Sequence, residues 1–273
     1  MKPVKQSLSE DRSVYTSDFV MIRVDKGPVT LSNEMGSGRF DPEYWHPKFT
    51  YAEDIFKRSS YPIKDLGNFI KHITYGPIVV GKTFRPKKDG IFIINQSEIS
   101  DTGINYSYAN YAGQKSAWVL KRAMVKKNDL VIARSGMGGI GKNKASIIDF
   151  NIDACVGCFV DLIRLEGINP YYVLLFWKGI FGISQVQKII NGVGTLNINF
   201  DEIRSIKIPI LPNNIQKSIE RSYRDVSKAH HNAIMKKLKK DKINYNKKIE
   251  QARSLLKEII RKTDSLIINS IGN

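Results

Sequence analysis

Cysteine is scarce in this 273-residue chain, with only Cys155 and Cys158. Two are too few for the disulfide framework of a small secreted domain, and the expected location is cytoplasmic. They form one isolated Cys-x-x-Cys. A zinc site would need two more ligands, and His46, His72, His230 and His231 show no partnering spacing. Both cysteines lie in an apolar run and read as core, so no metal and no cofactor is assigned. Long apolar runs are missing as well: none approaches the ~18 residues of a membrane span. The start, Met1-Lys2-Pro3-Val4-Lys5-Gln6-Ser7, lacks the apolar centre of a signal peptide. No Ser/His/Asp or paired-carboxylate constellation stands out. No catalytic residue is therefore assigned, which favours a binding protein over an enzyme.

Proline and glycine disappear after Pro212 and return only at Gly272. Residues 213–273 then read as one long helix. Apolar or small residues recur at Ile215, Ile219, Ser222, Val226, Ala229 and Ala233, and again at Tyr245, Ile249, Ala252, Leu256, Ile259, Thr263 and Leu266. The alternating steps of four and three are a heptad seam, which needs a helix to pack on. The step from Ala233 to Tyr245, across Lys236-Lys237-Leu238-Lys239-Lys240-Asp241-Lys242, breaks the phase and predicts a bend or local unwinding. At ~1.5 Å per residue such a helix reaches roughly 80 Å, too long for one small domain. Dimerisation is expected through Ile215, Ile219, Val226, Ala233, Ile249, Ala252, Leu256, Ile259 and Leu266.

Acidic residues are outnumbered, 26 against 43 lysines and arginines, for a formal charge of +17. The excess is localised. Residues 64–145 and residues 213–273 each carry a net +9, whereas residues 1–63 are neutral and residues 146–212 carry −1. Localised positive charge attracts phosphates through counterion release.

Residues 1–62 read as an N-terminal arm: a β-rich run to Leu31, a loop from Asn33 to Pro47, then a short helix from Phe49 to Ser59. Residues 63–212 read as the globular unit. Buried strands are expected at Gly90–Asn95, Leu130–Arg134, Ser146–Phe150 and Cys155–Leu165, with helices at Pro170–Gly179 and Ile183–Ile190. Thr74-Tyr75-Gly76-Pro77 reads as a turn, Asn191 to Thr195 as a loop, and Ile203–Pro209 as the strand-like entry to the long helix. The fold class is α+β, a short-stranded domain with packed helices and a long C-terminal helix.

Two motifs invite enzyme readings. Gly136-Met137-Gly138-Gly139-Ile140-Gly141-Lys142-Asn143 fits both a dinucleotide fingerprint and a P-loop. Either chemistry needs a helix N-terminus next, but Ala145 to Phe150 alternates like a strand and Asn143 replaces the magnesium-binding Ser/Thr. A glycine-rich hairpin is the reading, able to approach a DNA backbone beside Arg134, Lys142 and Lys144. Asn169-Pro170-Tyr171-Tyr172 resembles the catalytic tetrapeptide of adenine methyltransferases, which grips a flipped base. Its second proline is missing, and a helix start with core tyrosines is the better reading.

Several segments in order resemble the specificity subunit of type I restriction–modification systems. They are Tyr75-Gly76, Gln96 to Gly103, Val125 to Gly136 leading into the glycine hairpin, Gly192 to Asn197, Phe200 to Pro212, and Ile215-Gln216. Together they span about three-quarters of the chain. The resemblance implies a non-catalytic subunit that recognises double-stranded DNA. Such a subunit places an adenine-N6 methyltransferase subunit, and a restriction/translocase subunit, on a split target. This chain is similar to a half-length form with one recognition domain and one helix, which implies a homodimer on a palindromic target. DNA contacts are assigned to Tyr75, Lys82, Arg85, Lys87 and Lys88, to Arg134, Ser135 and Lys142, and to Gly194, Thr195 and Asn197. Two alternatives stay open: a nucleotide-binding enzyme or methyltransferase that uses the glycine loop, and a basic coiled-coil scaffold.

Overall fold

The computed structural model describes residues 47–82, 84, 90–108, 110–190 and 195–271. Its short apolar runs become strands, of which Ile91–Ile94, Leu130–Ala133, Ala145–Ile147 and Ala154–Val156 are buried throughout. In chain order come α1 (Pro47–Arg58), β1 (Ile63–Asp65), β2 (Ile70–Tyr75), β3 (Ile91–Ile94), β4 (Tyr111–Ala112), β5 (Leu130–Ala133), β6 (Ala145–Ile147), β7 (Ala154–Val156) and β8 (Val160–Leu165). Helices α2 (Pro170–Lys178), α3 (Ile180–Ile189) and α4 (Phe200–Ser205) follow, then β9 (Lys207–Pro209), α5 (Asn213–Leu238) and α6 (Lys242–Ile268).

The central sheet has the order β2-β8-β5-β6, all antiparallel. A second sheet, β4-β3-β7, pairs β3 with β7 in parallel, and β1 pairs with β9. Strand alternation divides two cores. Leu130 and Ile132 of β5 face the helices, while Val131 and Ala133 face the second sheet. That double burial explains why β5 and β3 read as unbroken apolar runs rather than alternating ones. The result is an α+β fold of three layers: helices, central sheet, second sheet.

The helical core is aromatic. Tyr172, Phe176, Trp177 and Phe181 are fully buried, and Phe56 of α1 stacks on Phe176 and packs at a tilt against Phe181. Each such burial contributes roughly 1.5–3 kcal/mol. Glu53 pairs with Lys188 of α3, so α1 is tied to the body by charge as well as by packing. The rest of the expected arm, up to His46, lies outside the described residues.

Three expectations are corrected. The single run expected from Cys155 to Leu165 is two strands, β7 and β8. The chain turns at Gly157, whose N–H donates to Ile94 O (2.9 Å) and whose Cβ position lies 2.2 Å from Asn95 Oδ1. The strand-like entry expected over Ile203–Pro209 is strand only from Lys207, because Ile203 to Ser205 belong to α4, started by a capping box in which Asn199 accepts from Asp201 and Glu202 N–H while Glu202 accepts from Asn199 N–H.

The third correction is the largest. The expected single long helix is two helices, folded back on each other as an antiparallel pair. The N-terminal half of α5 and the C-terminal end of α6 both pack on α2, where Tyr171 meets Tyr223 at 5.4 Å, and Asp264 accepts at 3.2 Å from the N–H of Ile180, which opens α3. Ile219, Val226 and Ala233 of α5, and Ile249, Ala252, Leu256 and Ile259 of α6, are buried within this one chain. Ile215 and Leu266 are half-buried against the same core. The partner that the seam demands is therefore the other half of the same segment. At ~1.5 Å per residue, each arm is about 40 Å long. The reversal needs neither glycine nor proline. Lys240 adopts the left-handed conformation (φ 58°), Asp241 N–H donates to Lys236 O (2.9 Å), and the Asp241 carboxylate accepts from Asn244 N–H to start α6.

No helix among the described residues is long and apolar enough to cross a membrane.

Candidate nucleic-acid interface

Arg134 leaves β5 and is pinned on both sides by backbone. Its N–H donates to Phe159 O (3.0 Å), and its carbonyl accepts from Ile198 N–H (3.1 Å). Ser135 then bridges to Asn197, and Gly136 N–H donates to Leu196 O (2.8 Å). Three connections that are far apart in sequence thus meet: the turn after β7, the glycine hairpin, and residues 195–199 before α4. Gln96 supplies a fourth tie, its Nε2 donating to Ser135 O (2.9 Å) and Phe159 O (3.0 Å). Lys144 Nζ donates in turn to Gln96 O (3.1 Å).

The side chain of Arg134 crosses this junction. Its guanidinium carbon lies 4.3 Å from the centre of the Tyr75 ring and 5.7 Å from that of Phe200, and the two rings are 5.9 Å apart. Such cation–π contacts contribute about 0.5–2 kcal/mol and fix the plane of the fork. Nε is 3.6 Å from Asp161 Oδ1. Asp161 lies opposite Tyr75 on one side of β8 and opposite Ile132 on the other, and it is fully buried. Burial pushes its carboxyl up to about 7, against the opposing pull of Arg134. Neither carboxylate oxygen has a hydrogen-bond partner among the described residues. The Nη groups of Arg134 also make no hydrogen bond there, so the outer edge of the fork is available to a ligand.

The rim is apolar and cationic together. Ile78 and Val80 after β2, Met137 in the hairpin and Phe159 after β7 are each more than half exposed, and Lys82 is exposed beside them in sequence. Gly76 permits the first of these turns: its N–H donates to Gly157 O (3.2 Å), and a Cβ there would lie 1.9 Å from Val156 O.

Of the residues assigned to DNA, the structure gathers Tyr75, Arg134, Ser135 and Asn197 at one junction, with exposed Thr195 next to it in the chain. Lys142 lies elsewhere, lining a cleft against α6. Arg85, Lys87, Lys88 and Gly194 lie outside the described residues. Asp161, Gln96 and Phe200 were missed. Gln96 and Phe200 stand within segments that carry the family resemblance, whereas a lone acid in an apolar strand gives no signal.

The glycine loop lacks the geometry of a phosphate-cradling loop that opens an α-helix. Gly136 has φ +77°, its carbonyl accepts from Gly139 and Gly141 N–H (both 3.1 Å), and a three-residue turn leads straight into β6. Asn169 caps α2 by accepting from Tyr171 and Tyr172 N–H, and the buried Tyr172 hydroxyl donates to Pro209 O (2.6 Å). Both residues are used in structure. Cys155 is buried in β7, where burial pushes its thiol up.

No protein-family model matches the chain, and no curated protein does. Among solved structures, the type I restriction–modification S subunit of M. genitalium aligns over 66% of this chain and 43% of its own, at 10% identity and a TM-score of 0.44. A chain from a study of complex assembly and conformational transition of the type I R-M system aligns over 92% and 58%, at 13% identity and a TM-score of 0.46. The HsdS subunit of Thermoanaerobacter tengcongensis aligns over 92% and 55%, at 12% identity and a TM-score of 0.44. The chain spans about half the length of these solved chains.

Proposed function

We propose that this chain recognises double-stranded DNA by sequence and serves as the specificity subunit of a type I, or related, restriction–modification complex. The observation that carries the reading is the Arg134 fork. It is held between Tyr75 and Phe200, backed by the buried Asp161 carboxylate, and set where four connections of the chain converge. A guanidinium oriented in advance loses little freedom when it bonds a guanine edge or a phosphate in a bidentate manner. Surrounding apolar side chains can meet thymine methyls or sugars, and the regional charge of +9 supplies attraction to phosphates that is independent of sequence. In this reading Tyr75, Arg134, Ser135, Thr195 and Asn197 contact DNA, and Lys82, Arg85, Lys87, Lys88 and Gly194 join them on the strength of the sequence alone. The chain is not the catalyst. It places an adenine-N6 methyltransferase subunit, and a restriction/translocase subunit, on the target.

A split target needs a second recognition unit. The seam of α5 and α6 is occupied within the chain, so a homodimer would have to use other surfaces.

The test is to co-express the chain with the methyltransferase encoded nearest to it and to map methylated adenines across the host genome. The expected result is methylation at one split motif that disappears without the chain and is about 5- to 150-fold weaker with Arg134→Ala, the loss of about 1–3 kcal/mol typical of one bidentate base contact. A palindromic motif indicates two copies, and an asymmetric one a different second chain. An active methyltransferase whose pattern ignores the chain would sink the proposal.

A further inference from the structure

A second cationic site lies away from the Arg134 junction, in a cleft of about 450 Å³ between the globular domain and α6. Lys142 from the glycine hairpin and Lys178 from the end of α2 line it on one side, and Arg253 and Lys257 of α6 on the other. Ile183, Leu256 and Ile260 add apolar lining. Two acids share the cleft. Glu250 is already paired with Arg253, and Asp101 is exposed at the mouth.

Lys178 decides what the cleft is for. A lysine in the last turn of a helix ordinarily answers the free carbonyls there. Here Phe176 O already accepts from Gly179 N–H (3.1 Å) and Trp177 O from Asn143 Nδ2 (3.0 Å). Lys178 is half-buried, and its ammonium makes no hydrogen bond or ion pair among the described residues, nor do the ammonium groups of Lys142 and Lys257. Burial pushes Lys178 down to about 8, with the field of Asp101 opposing. A desolvated ammonium without a partner is costly, and an anion beside it would reverse that cost.

We propose that this cleft binds a phosphate group, held by Lys142, Lys178 and Lys257, with Arg253 at its edge. Three amino groups and a guanidinium around an apolar floor suit a compact, highly charged oxyanion; Lys142, Arg253 and Lys257 are exposed and reach it from the rim, while the half-buried Lys178 gives the most strongly enhanced contact. The phosphate is either a phosphodiester of bound DNA, reached while the Arg134 junction reads the bases, or a free inorganic or nucleotide phosphate. The first source rests on the DNA-recognition reading; the site itself does not.

The experiment uses the full chain and inorganic phosphate as the first probe, at pH 7 and constant ionic strength with chloride as reference. Phosphate is expected to raise the melting temperature of the wild type and of Arg134→Ala. It should bind Lys178→Gln and Lys257→Gln about tenfold more weakly or worse, the loss of one charge-assisted contact. Binding should also weaken as pH rises past about 8, where Lys178 loses its proton. The second arm is the salt dependence of DNA affinity. If the phosphate belongs to DNA, the log–log slope of either lysine variant becomes shallower by about 0.9. A phosphate effect with an unchanged slope assigns the site to a free phosphate. Absence of both effects overturns the proposal. Should Lys178→Gln fail to fold by circular dichroism, the exposed Lys257→Gln decides alone. Failure of the recognition reading would look different: Arg134→Ala would bind DNA like the wild type while the phosphate response persisted.

Discussion

Asp161 joins the Arg134 junction to the stability of the domain. Its carboxyl is pushed up to about 7 from an ordinary 3.8, first by burial, with Arg134 opposing. Between those two values the folded chain holds a proton that the unfolded chain has released. Stability from this group is therefore complete below pH 3.8 and is lost as pH rises through 7. Asp264, pushed up to about 6 by burial, acts in the same direction. His230 acts in the opposite one. Burial lowers it, and Thr102 and Ile104 O bond its two ring nitrogens, so it costs stability as pH falls below 6.5. Comparing the wild type with Asp161→Asn cancels both of these. Urea unfolding at pH 5 and pH 8 is expected to show the variant gaining on the wild type as pH rises, by up to about 3 kcal/mol, since only the roughly two units between pH 5 and 7 count at ~1.4 kcal/mol each. A difference that stays the same at both pH values would remove Asp161 as a titrating residue. Around neutral pH the same proton decides whether Arg134 faces a charged or a neutral carboxyl.

At the scale of elements, the tightest fit is between the two arms of the helical pair. Ala233 and Ala252 are completely buried, so the arms approach with no room for a larger side chain. Ala252→Leu is expected to overpack this contact by about 1–3 kcal/mol and lower the melting temperature by several degrees, with the α-helical circular dichroism retained. A variant as stable as the wild type would mean that the arms are not packed as described. This contact also marks the limit of what the sequence disclosed. The heptad seam was plain in Ile219, Val226, Leu256 and Ile259, and so was the phase break after Ala233. The reversal was hidden because Lys239-Lys240-Asp241 carries no glycine or proline, and a lysine takes the left-handed position. Strands β3 and β5 were legible because burial on both faces leaves only apolar side chains. At the candidate site, Arg134, Ser135 and Asn197, which the structure brings to one junction, could be named from the order of their segments. Asp161 could not, because its role comes from the pairing that sets it opposite Tyr75, across two strands that are far apart in the chain.

For the whole molecule, the folded-back pair changes what holds the assembly together. A seam split between two chains would make folding depend on concentration, adding ~1.4 kcal/mol of stability for every tenfold rise in protein. For a chain of this size that is about 3–6 °C in melting temperature per tenfold. With Ile219, Val226, Ala233, Ile249, Ala252, Leu256 and Ile259 all buried against their own chain, the seam contributes no such dependence. The melting temperature is expected to stay constant, within a degree, from about 1 to 100 μM in the absence of DNA. A steady rise of several degrees per decade would mean that the arms exchange between two copies. In that case the two junctions around Arg134 would be joined rigidly before any DNA arrives, and the spacing of a split target would be built into the protein alone. A constant value leaves the pairing of recognition units to other surfaces, to a partner subunit, or to the DNA itself. The spacing between half-sites would then follow the assembled complex rather than the length of a single helix.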